Sequence, residues 1–175
     1  AATPAIANYD PVKQFAPVAL IAAGPLVWIT HANAPYASMR EMIAFAKANP
    51  GKLAYGSAGA GGVNHLALEL FKLRTGTDIL HVPYKGIAPA TTDLLGGSIA
   101  LLTGTIPAVL QHVRSGKARA LAVTGDKRSP LMPDVPTLKE AGASGTEVYN
   151  YWGITAPAGT PAAVVQRLNV EVQKF

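Results

Sequence analysis

Tyr55-Gly56-Ser57-Ala58-Gly59-Ala60-Gly61-Gly62-Val63-Asn64-His65 is the stretch on which the reading of this chain turns. Before it, Lys52-Leu53-Ala54-Tyr55 reads as a short strand, and after it Leu66, Leu70 and Leu73 mark a helix. Between strand and helix lie four glycines, two alanines and one hydroxyl. Small side chains let a ligand approach the main chain closely. The first helical turn adds unpaired N–H groups and a partial positive charge. Together they favour a carboxylate or a phosphate, so the turn reads as an anion cradle.

Working outward, the same strand–helix alternation recurs. Residues 1–17 read as a loop punctuated by prolines, followed by strands at Val18–Ala22 and Leu26–Thr30 on either side of Gly24-Pro25. Ser38-Met39-Arg40-Glu41 is a capping box, and the helix that it opens ends at Asn49-Pro50-Gly51. Beyond the glycine turn come a helix over about 64–74, a strand at Asp78–Val82 and a helix over about 88–95. A strand at Ile99–Leu102, a helix over about 108–114 and a strand at Arg119–Val123 follow. Repeated strand–helix units with short connections predict an α/β fold, with a mainly parallel sheet and helices on both faces. In such sheets ligands sit beyond the carboxyl ends of the strands. The glycine turn, Tyr84-Lys85-Gly86 and Thr103-Gly104-Thr105 are expected to converge there. After Thr124 the texture changes. Residues 129–136 read as a proline-rigid segment, Thr137-x-x-Glu140 as a second capping box and Val148–Ala156 as a strand. Thr160-Pro161 then supplies N-cap and N1 for a last helix striped by Val164, Leu168 and Val172, which reads as stopping short at Phe175.

Composition excludes several classes. The net charge is +5, but no run of Lys and Arg interleaves with aromatics, so no nucleic-acid face is expected. The absence of cysteine rules out disulfides, thiolate nucleophiles and Cys-based zinc sites. Gly, Pro and charges interrupt every apolar run before membrane-spanning length, and the opening Ala-Ala-Thr-Pro shows no signal-peptide pattern. His31, His65, His81 and His112 are too scattered for a metal site, and each reads as structural or surface. No metal or cofactor is expected.

Gly56-Ser57-Ala58-Gly59 is near a nucleophile elbow, but Tyr55 stands where that motif needs glycine. His65 is only eight positions on, and no acid is placed to orient it. Gly59-x-Gly61 echoes the dinucleotide fingerprint, yet Asn64 occupies the third glycine position, and no Gly-Lys-Ser or Gly-Lys-Thr marks a P-loop. Paired carboxylates for acid–base work are lacking near the strand ends. No enzyme is expected.

The ordered set Tyr55-Gly56-Ser57 … His65-Leu66, His81-Val82-Pro83-Tyr84-Lys85-Gly86 and Asp93-Leu94-Leu95-Gly96-Gly97 closely resembles the tripartite tricarboxylate transporter receptor family, the Bug or TctC-type periplasmic solute-binding proteins. The resemblance continues through Gly116-Lys117-Ala118-Arg119-Ala120-Leu121-Ala122-Val123-Thr124, Pro133-Asp134-Val135-Pro136-Thr137 and Ala156-Pro157-Ala158-Gly159-Thr160-Pro161. It implies a periplasmic-binding-protein-like (type II) α/β lobe with partial segments of a second lobe. Residues 26–124 would form the ligand-binding second lobe, 1–25 a partial first lobe and crossover strand, and 125–175 an incomplete return segment of the first lobe. The family's opening third and terminal segment have no counterpart in these residues.

By that resemblance the protein captures an organic carboxylate, is periplasmic, and presents its ligand to membrane permease subunits of a tripartite transporter. The turn chemistry and the resemblance together point to Ser57, Ala58, Gly61, Gly62, Val63, His65, Tyr84, Lys85, Gly86 and Thr103 as the ligand-binding set. Three departures from the family pattern stand out: Gly62 replaces a common Ser or Thr, and Ala100 and Gly104 replace two usual acids. The loss of acidity at Gly104 is expected to suit an anionic ligand end. Trp152 is expected in the core. The alternatives are a shortened remnant that folds as a homo-oligomer and binds nothing, and a nucleotide-binding α/β enzyme.

Overall fold

The computed structural model describes residues 9–174. The loop reading of residues 1–8 and the end of the last helix at Phe175 fall outside the described residues. The described residues form two compact units: a smaller one from residues 9–24 and 151–174, and a larger one from residues 25–150.

The larger unit is built on β1 (Phe15–His31, its second half lying here), β2 (Leu53–Ser57), β3 (Ile79–Pro83), β4 (Leu101–Thr105) and β5 (Ala118–Val123), in the order β3-β2-β4-β1-β5. β2 is parallel to both β3 and β4, whereas β1 runs antiparallel to β4 and β5. The sheet is therefore mixed. Four strands share one direction, and β1 is inserted among them the other way round. The helices are α1 (Met39–Ala48), α2 (Val63–Thr75), α3 (Ile87–Leu95) and α4 (Ile106–Arg114). Alternation along each strand divides the interior into two layers. Trp28, Tyr55 and Leu101 pack with Met42 of α1 and Leu68 and Phe71 of α2 on one face. Val27, Ile29 and Leu102 pack with Ala90 and Leu94 of α3 and Val109 of α4 on the other.

Several expectations are corrected by this arrangement. Gly24-Pro25 does not divide two strands, because β1 runs unbroken from Phe15 to His31. Proline is tolerated where no ladder N–H is required, and the register with β4 starts just after it, at Leu26 opposite Thr105. Residues 125–150 belong to the larger unit rather than with the chain's last segment. The Val123 N–H donates to Pro136 O at 2.9 Å and the Leu138 N–H to Val123 O at 3.0 Å. The Thr124 hydroxyl receives the Leu26 N–H at 2.8 Å and donates to Val148 O. The Thr137–Glu140 box forms, with the Glu140 N–H on Thr137 Oγ1 at 3.1 Å and the Thr137 N–H on Glu140 Oε2 at 2.8 Å. It closes a turn instead of opening a helix, since the chain turns again through Ala141 and Gly142. In the Ser38 box, Ser38 Oγ accepts the Glu41 N–H at 3.2 Å, and Glu41 reaches back to the Ala37 N–H at 2.7 Å.

In the smaller unit, β6 (Tyr149–Pro157, entering from the larger unit) pairs with β1, and α5 (Ala162–Val172) follows. Thr160 is not the cap of α5. Its hydroxyl donates to Pro157 O at 2.8 Å, and Pro161 occupies the cap position. Trp152 is 42% exposed, so it is not a core residue. On β6 its neighbours Tyr151 and Ile154 are also exposed.

Candidate functional site

β2, β3 and β4 are adjacent and parallel, so their carboxyl ends lie along one edge of the sheet. From each the chain passes directly into a helix: β2 into α2, β3 into α3, β4 into α4. The cap residues are Gly62, Gly86 and Thr105, and none makes a side-chain capping bond. By contrast α1, which follows the reversed strand β1, is capped by Ser38. Three helix starts with first-turn N–H groups not taken by their own caps therefore share one edge.

The turn after β2 is shaped by Gly59 at φ 133° and Gly61 at φ 80°, conformations that L side chains avoid. Ala58, Ala60 and Gly62 are exposed and Val63 is half-buried, so the rim of the turn is open main chain. Gly62 has extended geometry, and the first helical bond runs from the Leu66 N–H to Gly62 O at 3.0 Å. The N–H groups of Val63, Asn64 and His65 thus have no acceptor within the helix. A serine or threonine at Gly62 would cap one of them. Glycine leaves them open.

Ser57 is fully buried, and its hydroxyl donates to Gly59 O at 3.0 Å, holding the turn closed on itself. It also lies 2.7 Å from His81 Nε2. The Gly61 N–H is likewise engaged inside the turn, donating to His65 Nδ1 at 3.0 Å. The two imidazoles stack with centroids 4.1 Å apart, and Tyr55 stacks on the far side of His81 at 4.8 Å. Behind this pile of rings the Tyr55 hydroxyl donates to Glu69 at 2.7 Å, and Lys72 pairs with the same carboxylate at 2.8 Å. Asn64 ties the helix start to β4 with bonds from Nδ2 to Thr103 O at 2.7 Å and to Thr103 Oγ1 at 3.0 Å. Thr103 itself is buried.

The connection after β3 adheres to the same edge, since the Tyr84 N–H donates to Ser57 O at 2.9 Å. Its phenol turns to the opposite face of the sheet and donates to Asp93 of α3 at 2.7 Å. Burial, then the Asp93 hydrogen bond and charge, push the Tyr84 pKa up to about 12. Lys85 is exposed, and Gly86 at φ 144° caps α3. A Cβ on Gly104 would come 2.8 Å from Val109 Cγ1, on the α4 face of the sheet, so glycine there permits close packing against α4.

Sequence reasoning missed Asn64, Tyr55, Glu69 and His81 as parts of the site. The alternation of Leu80, His81 and Val82 does put His81 on the face opposite its neighbours. Its register opposite Tyr55, with Pro83 opposite Ser57, exists only once β3 pairs with β2.

Burial first, then the charge of His65 and that of Lys72, hold the His81 pKa below 6.5, with Glu69 opposing. Burial works against the Glu69 carboxylate, but hydrogen bonds from Lys72 and Tyr55 and the nearby positive charges outweigh it and lower its pKa. The consequence for stability has a definite sign. Neutral His81 contributes stability that is full above the unfolded value of 6.5 and lost as pH falls through its lower folded value. Thermal denaturation from about pH 7.5 down to about pH 5.5 is expected to show a falling Tm, with a smaller fall in His81→Gln. Equal falls in the two chains would refute the assignment to His81.

Residues 2–174 match the family described as the tripartite tricarboxylate transporter family receptor. Among solved structures, the chain is 37% identical to the periplasmic binding protein BugD, with a TM-score of 0.87, covering 94% of this chain and 55% of that one. It is 40% identical to Rpa4515 of R. palustris, solved with adipate, with a TM-score of 0.88 and coverages of 94% and 55%. MatC of Rhodopseudomonas palustris, with bound malate, is 31% identical with a TM-score of 0.89, covering 95% of this chain and 57% of that one. The chain spans about half the length of the curated relatives it matches. Its α/β architecture, a mixed sheet flanked by helices, is that of periplasmic binding proteins. The chain belongs to the tripartite tricarboxylate transporter receptor family, the TctC or Bug solute-binding proteins.

Proposed function

We propose that the glycine turn after β2 holds a carboxylate group of a small organic acid, and that the protein is a binding component and not an enzyme. The observation that carries this reading is the row of three helix starts without side-chain caps on one sheet edge, with glycine at two of the cap positions. Main-chain N–H groups aimed at a fixed negative charge make strong, short hydrogen bonds. Rpa4515 with adipate and MatC with malate, both similar along nearly the whole chain, support a dicarboxylate as the ligand class. The Val63, His65 and Gly62 main chain forms the nearest donors, Ala58 and Gly61 the opposite rim, and Gly86 and Lys85 a second source of positive potential. Ser57, Thr103 and Tyr84 hold these donors in place through the bonds described above. The ligand would be delivered to permease subunits outside the cytoplasm, a role and location that rest on family membership.

One observation favours a second reading, a serine hydrolase: Ser57 Oγ and His81 Nε2 lie 2.7 Å apart. A nucleophile must be reached by substrate, however, and Ser57 is 0% exposed. Glu69, the acid hydrogen-bonded behind the ring pile, is committed to Tyr55 and Lys72. Binding is the better account.

Thermal-shift titration of this chain with adipate, malate and citrate, against NAD and ATP, tests the proposal. A carboxylate is expected to raise Tm in proportion to the logarithm of its concentration. A response to the nucleotides alone would overturn the reading.

A further inference from the structure

The donor nearest the centre of the turn is occupied. Gly61 donates its N–H to His65 Nδ1 at 3.0 Å, so His65 Nδ1 carries no proton in this arrangement. Gly61 sits at φ 80°, and immediately before the α2 cap its N–H belongs to the loop that would cradle an anion. A proton added to His65 Nδ1 would set an N–H against an N–H. That bond must then break, which frees the Gly61 N–H and leaves an imidazolium beside it.

We propose that His65 is a positioning residue that couples anion binding to proton uptake: protonation at Nδ1 releases the Gly61 N–H from its internal acceptor and presents it to the carboxylate. The idea rests on reading the turn as a carboxylate site and names the device that opens its central donor.

The surroundings decide where the proton goes. His65 of α2 stacks on His81 of β3 at 4.1 Å, and two cations at that distance cannot both persist. His81 is sandwiched between His65 and the Tyr55 ring of β2, its Nε2 meets the Ser57 hydroxyl, and the Lys72 ammonium lies 5.8 Å from the Tyr55 centroid. Burial and positive neighbours thus keep His81 neutral. From α2, the Glu69 carboxylate faces the pile and already holds Tyr55 and Lys72. Tyr84 and Asp93 satisfy each other on the other face of the sheet. Asn64 and Thr103, from α2 and β4, are neutral. The single proton that the pair can accept therefore goes to His65, and an anion in the turn supplies the missing countercharge.

Two measurements on this chain test the inference. In NMR of the free protein, the Gly61 amide resonance is expected to move in step with the His65 imidazole titration. A Gly61 amide indifferent to that titration overturns the proposal. In calorimetric titration with adipate and malate, buffers of different ionisation enthalpy are expected to reveal uptake of up to about one proton per anion, with affinity rising as pH falls. His65→Gln, whose amide oxygen can still accept the Gly61 N–H but cannot be protonated there, is expected to lose both the proton uptake and the pH dependence. Equal proton uptake in His65→Gln overturns the proposal. No heat with either acid at any pH, alongside a coupled Gly61–His65 titration, would sink the carboxylate reading and leave the switch standing for another anion.

Discussion

Gly56→Val is expected to lower stability by about 3 kcal/mol, or about 6–12 °C in Tm, the largest loss from a single side chain added near the site. Gly56 is buried on β2, with β3 and β4 hydrogen-bonded on either side, so the strand cannot shift sideways to make room. A Cβ built on it would lie 2.6 Å from Ile99 Cδ1, 3.2 Å from Ala90 Cβ and 3.2 Å from Tyr84 Cε2. Ile99 presents the end of a flexible side chain, which can swing aside for a single methyl. Ala90 is fixed on α3, and the Tyr84 ring is anchored by its bond to Asp93 at 2.7 Å. Gly56→Ala should accordingly cost about 1–2 kcal/mol, and valine's further methyls have no such escape. Ile99→Val trims the nearest methyl, so Gly56→Ala combined with Ile99→Val should lose less than the sum of the two changes. Urea denaturation of the parent, the three single variants and the double variant checks this. A fully additive pair, or a valine variant as stable as the parent, would show that the layer between β2 and α3 is looser than its distances imply.

That glycine also shows what could be read from sequence and what could not. The small residues of 56–62 announced an open main chain, and the strand–turn–helix order that makes an anion site was legible in them. The division of labour was not. Gly59 and Gly61 serve backbone conformation, Gly62 leaves helix donors uncapped, and Gly56 serves only the packing of α3 against the sheet. Period and composition fix which face a residue occupies, but neither says which strand lies next door. The antiparallel insertion of β1 between β4 and β5 was invisible for that reason. So was the encounter of Ser57 with His81, which are 24 positions apart and brought together by β2–β3 register. A proline after glycine looked like a strand break at residues 24–25, yet the long strand passes through it because no ladder bond is needed there. Thr137 and Glu140 formed their reciprocal bonds as their spacing implied, while the tertiary packing of Leu138 and Ala143 against the core closed them into a turn.

Val63→Pro is expected to weaken dicarboxylate binding by about 10- to 100-fold while leaving Tm within about 2 °C of the parent. Val63 is the first helical residue of α2, the position at which proline is best accommodated, because its missing N–H has no helical acceptor in any case. The residue before it is already extended, with Gly62 at φ −73° and ψ 166°, which is what a following proline requires. The first helical bond, from the Leu66 N–H to Gly62 O, does not involve the Val63 nitrogen. The substitution therefore deletes one donor from the open edge and little else. A hydrogen bond to a charged group is worth about 1.5–3 kcal/mol, which sets the expected loss of affinity. Calorimetric titration with adipate of the parent and the variant, beside their melting curves, makes the comparison. Unchanged affinity in a folded Val63→Pro chain would remove the α2 start from the binding site. The row of helix starts would then have to act through Gly86 of α3, where the next uncapped turn lies on the neighbouring strand.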